Sequence, residues 1–305
     1  MKYILLVFIG ACSYGILSTI VKLAYSQGYS AAEVIGGQMV FGFLLTWLPA
    51  LFFLRTKPPK HLLLLLTAVG LVVGTTGIMY YNALQYIPAS LAILLLFQFT
   101  WMGVFAESIM SRKLPDKLTL ASLILLIVGT ILAGGLLENG GLAQFHLVGV
   151  WFGLLSAVSY TLFIIFSGKT ALSVNPWLRS SSMSTGSLLL TCLIYPPVFL
   201  IDGTLLDGLF PYVFLLALFG VLIPTACFNF GVPHVGAGMA AILGAAELPM
   251  AVFASSIVLH ETVTWLQISG VIVILLGIVL PKLLQRRKIK PAATSYQTKN
   301  PPEWS

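Results

Sequence analysis

Charge is what this chain has least of. Asp, Glu, Lys and Arg together make up 8% of its 305 residues, against about 25% in a soluble globular domain. With 58% apolar residues and a mean hydropathy of +1.00, it cannot cover itself with polar surface in water, so the bilayer is its solvent. Cysteine is nearly missing too. Cys12, Cys192 and Cys227 fall inside apolar runs without CxxC spacing, which suggests neither a disulfide framework nor a thiolate metal site. His61, His146, His234 and His260 are scattered, with no ligand spacing. Walker-type loops, HExxH and GxSxG are all absent, as is the pair of mid-membrane carboxylates that would suit an intramembrane protease. The sequence therefore reads as a non-enzyme without cofactor or metal. Its net charge of +7 comes with no basic stripe carrying stacking aromatics, so no nucleic-acid partner is expected.

What is present is long apolar runs. A membrane helix needs roughly 20 such residues, and ten stretches qualify: 3–25, 31–54, 62–86, 89–110, 118–137, 147–167, 181–201, 210–231, 236–259 and 263–284. A closed β-barrel would show alternating segments of about 10 residues instead. The first run is too long for the apolar core of a cleaved signal peptide and is kept as the first span.

The chain is also one unit written twice. Residues 89–108 return 148 residues later as 237–256, with Val104-Phe105-Ala106 falling on Val252-Phe253-Ala254 and Gly129 on Gly277. Placing both termini in the cytoplasm puts the 16 Lys and Arg in cytoplasmic segments, Lys22 alone excepted, while Glu33, Glu138, Asp202, Asp207 and Glu261 occupy the opposite gaps. This is a positive-inside pattern. Five spans per unit is an odd number, so the second copy enters from the opposite face. The expected fold is an all-α integral membrane protein: ten transmembrane helices in two inverted five-helix repeats, 3–137 and 147–284. A basic, Pro-punctuated cytoplasmic tail over 285–305 is expected to be disordered and to touch anionic lipid.

Glu247 is the sharpest candidate for chemistry. It lies near the middle of the ninth span, where an ionised carboxylate costs about 2.5–3.5 kcal/mol on insertion scales. Such a group faces the protein interior, is protonated, or both, which suits proton coupling or cation binding; the alternative is a protonated packing contact. Pro249 removes a helix donor at the same depth. Asn82, Asn229 and Gln98 are neutral polar candidates for substrate binding or for joining helices. Tyr80, Tyr81, Trp101 and Tyr160 either line an amphipathic cavity or pack. Lys22 and Glu33 flank the first external turn, as an ion pair or an entry gate. Glu107 reaches the cytoplasmic interface, and Glu261 marks an outer helix start, where a carboxylate complements the helix dipole. Gly70, Gly74 and Gly77 form a small-residue packing face.

Several of these features resemble the EamA domains of the drug/metabolite transporter superfamily. They are the doubled five-span unit, His260-Glu261-Thr262 opening the tenth span, Ile-Ser-Gly-Val-Ile-Val-Ile-Leu-Leu-Gly at 268–277, Ser13-Tyr14-Gly15 followed by Lys22, and Ser159-Tyr160 followed by Lys169. The resemblance covers roughly 3–284 and implies transport, often export, of a small metabolite. The chain departs from that pattern at Gln38, where an Arg is common, at Trp101, where a Pro is common, and at Lys113, where an acid is expected.

The expectation is thus a secondary transporter of the cytoplasmic membrane, monomer or homodimer. It would move an amino acid or amphipathic compound, most often outward, by proton-coupled or facilitated alternating access. The different-class alternative is a non-transporting membrane protein, scramblase-like or sensory. Lys57→Cys and Glu261→Cys are expected to react with an impermeant thiol reagent from opposite sides of the membrane; reaction of both from one side contradicts the inverted topology.

Overall fold

The computed structural model describes residues 2–53, 58–87, 89–133, 146–258, 260 and 263–288. Among these the chain is all helix and irregular segments, with no strand. In the first half, α1 (Lys2–Ser26), α2 (Ala31–Leu51) and α3 (Lys60–Tyr86) are long rods. They are followed by α4 (Ala89–Leu96), α5 (Phe99–Ser111) and α6 (Lys117–Ala133). The second half holds α7 (Leu147–Lys169), α8 (Pro176–Ile194), α9 (Phe210–Ala217), α10 (Ile223–Val235), α11 (Ala237–Gly244), α12 (Glu247–Val258) and α13 (Trp265–Lys288).

Taking α4–α5, α9–α10 and α11–α12 each as one broken rod gives ten spans among the described residues. Seven of these rods are long and apolar enough to cross a membrane. The apolar parts of α6 and α13 are shorter. The remaining one, α8, is diluted by hydroxyls: Ser180, Ser181, Ser182, Ser184, Ser187 and Thr191 are all buried. Ser180, Ser184 and Ser187 bond across to other helices. Ser184 Oγ lies 2.6 Å from Thr46 Oγ1 of α2, and Ser187 Oγ donates to Gly70 O of α3 at 2.8 Å. Side chains such as Leu64, Trp151 and Leu193 are exposed, as lipid-facing residues should be.

The duplication is geometric as well as textual. Helices begin at 89, 99 and 117 and again, 148 residues on, at 237, 247 and 265. Packing obeys the same exchange of halves. α1 packs on α10 as α7 packs on α3, and α1 packs on α12 as α7 packs on α4 and α5. α6 against α13 and α2 against α8 are contacts in which a helix meets its own counterpart, and α5 against α11 joins the two broken counterpart spans. Several of these approaches require glycine. A Cβ on Gly70 would collide with the Met183 carbonyl, and one on Gly186 with the Thr67 carbonyl. Gly129 and Gly270 bring α6 and α13 together in the same way. Gly77, expected on that packing face, has only Met39 Cε at 3.9 Å and borders open space instead.

The fourth and ninth spans, expected as continuous helices, are both broken. The breaks fall at Phe97–Gln98 and Ala245–Ala246, again 148 residues apart. At each one the backbone tightens to i→i−3 bonding: Gln98 N donates to Leu95 O, and Ala246 N to Leu243 O. Pro249 lacks the donor that Ala245 O would otherwise receive. Trp101 has an N–H at the matching position, yet the break persists, and there the Gln98 side chain donates to Leu94 O at 2.9 Å. The tail expected from 285 begins later, because α13 stays helical through Lys288. Residues 289–305 lie outside the described residues.

Gly186→Val is expected to lower the thermal midpoint in detergent by the equivalent of about 1–3 kcal/mol, because its side chain meets backbone that cannot move aside. Gly77→Ala, in open space, is the control expected to fold normally.

Candidate functional site

The two halves enclose a cavity of about 380 Å³, at the lower end of the range for small-molecule sites. Its wall is built from stripes at helical spacing. On α1 these are Tyr14, Ser18, Lys22 and Tyr25; on α3, Val73, Thr76, Gly77, Tyr80 and Tyr81. α2 contributes Gln38 and Met39, α7 Tyr160 and Phe163, and the turn between α9 and α10 contributes Gly220. Gln38 Oε1 accepts from the Tyr81 hydroxyl at 3.3 Å, tying α2 to α3.

Glu247 lines this cavity as the first residue of α12. The ninth span breaks just before it, so the carboxylate sits at a half-helix N-terminus, where the peptide dipoles favour negative charge. α1 comes close here because residue 15 is glycine; a Cβ would collide with the Glu247 carbonyl. The tyrosines Tyr14, Tyr80 and Tyr160 are all within electrostatic reach of the carboxylate. Beside it lies an aromatic stack. Phe99 meets Tyr160 edge-on at 4.6 Å, Tyr160 stacks on Phe163 at 6.0 Å, and Phe163 stacks on Phe228 at 5.7 Å. The Tyr160 hydroxyl is buried with no hydrogen-bond partner among the described residues.

The structure therefore brings together Glu247, Tyr80, Tyr81, Tyr160 and Lys22, and leaves the other candidates elsewhere. Asn82 donates to Tyr195 Oη at 3.0 Å and to Ile78 O at 2.8 Å. Asn229 is buried and donates to Ser180 Oγ at 3.0 Å, joining α10 to α8. Gln98 accepts from Trp101 Nε1 at 2.8 Å, so those two satisfy each other away from the cavity. Glu33 closes a capping box with Ser30 at the start of α2. Glu107 accepts the backbone N–H of Gly238, in the first turn of α11. It lines a separate cleft with Lys113 and Met239. Glu261 lies outside the described residues. Tyr14, Ser18 and Tyr25 were missed as a set, although their spacing along α1 was readable.

Arg179, which the charge count set in a cytoplasmic gap between spans, lies within a helix instead. It is fully buried on α8. Its Nη1 donates to Asn229 O at 2.9 Å and its Nη2 to Ser167 O. In a continuous helix the Asn229 carbonyl would bond the N–H of residue 233, which is a proline. The Ser167 carbonyl belongs to the last turn of α7, where backbone acceptors have no helical partner. The guanidinium thus supplies donors that a proline and a helix end leave missing.

Comparison with known proteins settles the lineage. Residues 1–135 and 147–281 match the EamA-like transporter family, one match per half. The chain belongs to that family. Among curated relatives, the uncharacterized transporter sll1319 of Synechocystis sp. (strain ATCC 27184 / PCC 6803 / Kazusa) is 26% identical over 227 residues. That match covers 70% of this chain and 64% of the relative, so the chain spans less than two thirds of that protein's length. A crystal structure of another protein superposes with a TM-score of 0.74 at 15% identity, over 94% of this chain and 99% of that one. At that identity the likeness concerns the fold alone. As an EamA protein, the chain is a multi-pass membrane protein whose cavity lies between its two family repeats.

Arg179→Leu is expected to lower the thermal midpoint, since each buried carbonyl left unmet costs about 1–3 kcal/mol. Arg179→Lys, with one point donor in place of a fork, should recover part of it. An unchanged midpoint in the leucine variant contradicts this role.

Proposed function

We propose that the protein is a secondary transporter of the cytoplasmic membrane. It moves a small organic metabolite, an amino acid or an amphipathic compound, outward by alternating access, with Glu247 exchanging a proton. One observation carries the reading: among the described lining residues a single carboxylate, Glu247, faces a cavity bounded by both repeats, at a helix break that recurs in the other repeat. Discontinuous spans flanking a midplane site are how many secondary transporters build their binding centre.

The cavity extends from Glu247 along α1 to Lys22 and Tyr25, toward the face that the charge pattern reads as external. In the other direction lies packed core, with Phe99, Phe228, Ala240 and Leu243 all at most 3% exposed. Access from one side and a plug on the other are what one state of an alternating cycle requires. An open cavity holding Glu247 also favours transport over a non-transporting scaffold, whose core would be closed and dry. Lys22 is the one Lys or Arg among the described lining residues, which disfavours phosphorylated substrates, since these need buried cationic partners.

Glu247→Gln, reconstituted in proteoliposomes, is expected to lose at least about tenfold of pH-gradient-driven flux while keeping the wild-type elution profile and thermal midpoint. Wild-type flux in the variant, with an unchanged response to the gradient, contradicts the proton role.

A further inference from the structure

We infer that the cavity takes a protonated monoamine whose ammonium group sits against Glu247 and whose apolar body lies among the tyrosine rings. This deepens the transport reading of the same cavity and rests on it.

Glu247 is the one acid among the described lining residues, so the floor of the site carries a single negative charge. Tyr14 and Tyr80 line the same cavity from two different helices, α1 and α3, and the electron-rich face of a tyrosine attracts a cation. Tyr160, a residue 5% exposed, adds a buried hydroxyl without a hydrogen-bond partner among the described residues, able to accept an N–H. A carboxylate and a free hydroxyl oxygen together satisfy two of the three donors of a primary ammonium. An anion meets the opposite situation. The dipole of α12 is already met by Glu247, and a second carboxylate at that depth would face like charge.

The single acid of the lining matches a ligand with one positive charge. Gly15 lies level with Glu247, and Lys22 follows seven residues later, about 10 Å further along α1. A diamine long enough to fill the cavity would find no second acid among the described lining residues. Between Glu247 and Lys22 lies mainly apolar and aromatic surface, including Met39, Tyr80 and Tyr81, which suits a ring or short alkyl body.

Three probes share one skeleton: 2-phenylethylamine is a cation, 2-phenylethanol is neutral and 3-phenylpropionate is an anion. Phenylalanine adds a carboxylate to the amine. In calorimetric titration of the purified wild-type protein, 2-phenylethylamine is expected to bind about tenfold or more tighter than each of the other three. Glu247→Gln is expected to remove that advantage. Tyr80→Leu should weaken the amine about three- to tenfold, and Tyr80→Phe, which keeps the ring, should restore most of it. Equal or tighter binding of the alcohol, the anion or phenylalanine overturns the monoamine site, as does failure of the amine to bind. The wild-type comparison decides even if a variant misfolds. Binding is read apart from flux, so a charge-selective site in a protein that moves no solute would refute transport and leave the amine site standing.

Discussion

Inside a bilayer a backbone carbonyl or amide has no water to turn to, and every break in a helix must be answered by the protein itself. Much of this structure follows from that constraint. Pro224 leaves acceptors unmet in the turn between α9 and α10, and Ser13 Oγ of α1 donates to Phe219 O there at 2.6 Å. Pro233 frees the Asn229 carbonyl, and Arg179 takes it. At the break in the fourth span, the Gln98 amide returns to Leu94 O. Each repair comes from a named side chain, and two of the three cross between helices, so the same bonds that satisfy the backbone also lock the bundle. The break before Glu247 differs because it borders the cavity, where irregular backbone is tolerated.

The symmetry of the scaffold and the asymmetry of its chemistry have separate origins. Three helix starts and both breaks repeat at a spacing of 148 residues, because the two halves share one packing scheme. Side chains at the breaks have diverged. Glu247 stands where Phe99 stands in the first half, and Pro249 where Trp101 stands. Phe99 is fully buried in the aromatic stack beside Tyr160, so one break contributes apolar packing and the other a charge. In the proposed cycle the charged break holds ligand while its apolar counterpart helps close the path.

The spans, the duplication and Glu247 were legible in the sequence because each depends on local or repeated pattern. Apolar length marks a span, a fixed offset marks a duplication, and a lone mid-span carboxylate stands out against hydrocarbon. The broken rods were less legible. Pro249 hinted at one, but nothing around Phe97–Gln98 signals a break, which arises from packing shared with the other half. Asn82, Asn229, Gln98 and Trp101 stood open between binding substrate and joining or packing helices, because depth does not say which way a side chain turns; each has a neighbour to satisfy. Arg179 was misplaced for a related reason. A basic residue near a span end normally reaches water, and only the three-dimensional placement of Pro233 and the end of α7 shows why this one stays buried.

The central claim is that the Glu247 cavity opens to each side of the membrane in turn. Ser18 lines it on α1 and is replaceable by cysteine once Cys12, Cys192 and Cys227 are changed to serine or alanine. The direct measurement is the rate at which an impermeant thiol reagent modifies Ser18→Cys in right-side-out and in inside-out vesicles. Alternating access requires modification from both faces, with the external rate higher for the arrangement seen here. Modification from one face alone, at every substrate concentration and pH tried, would contradict it.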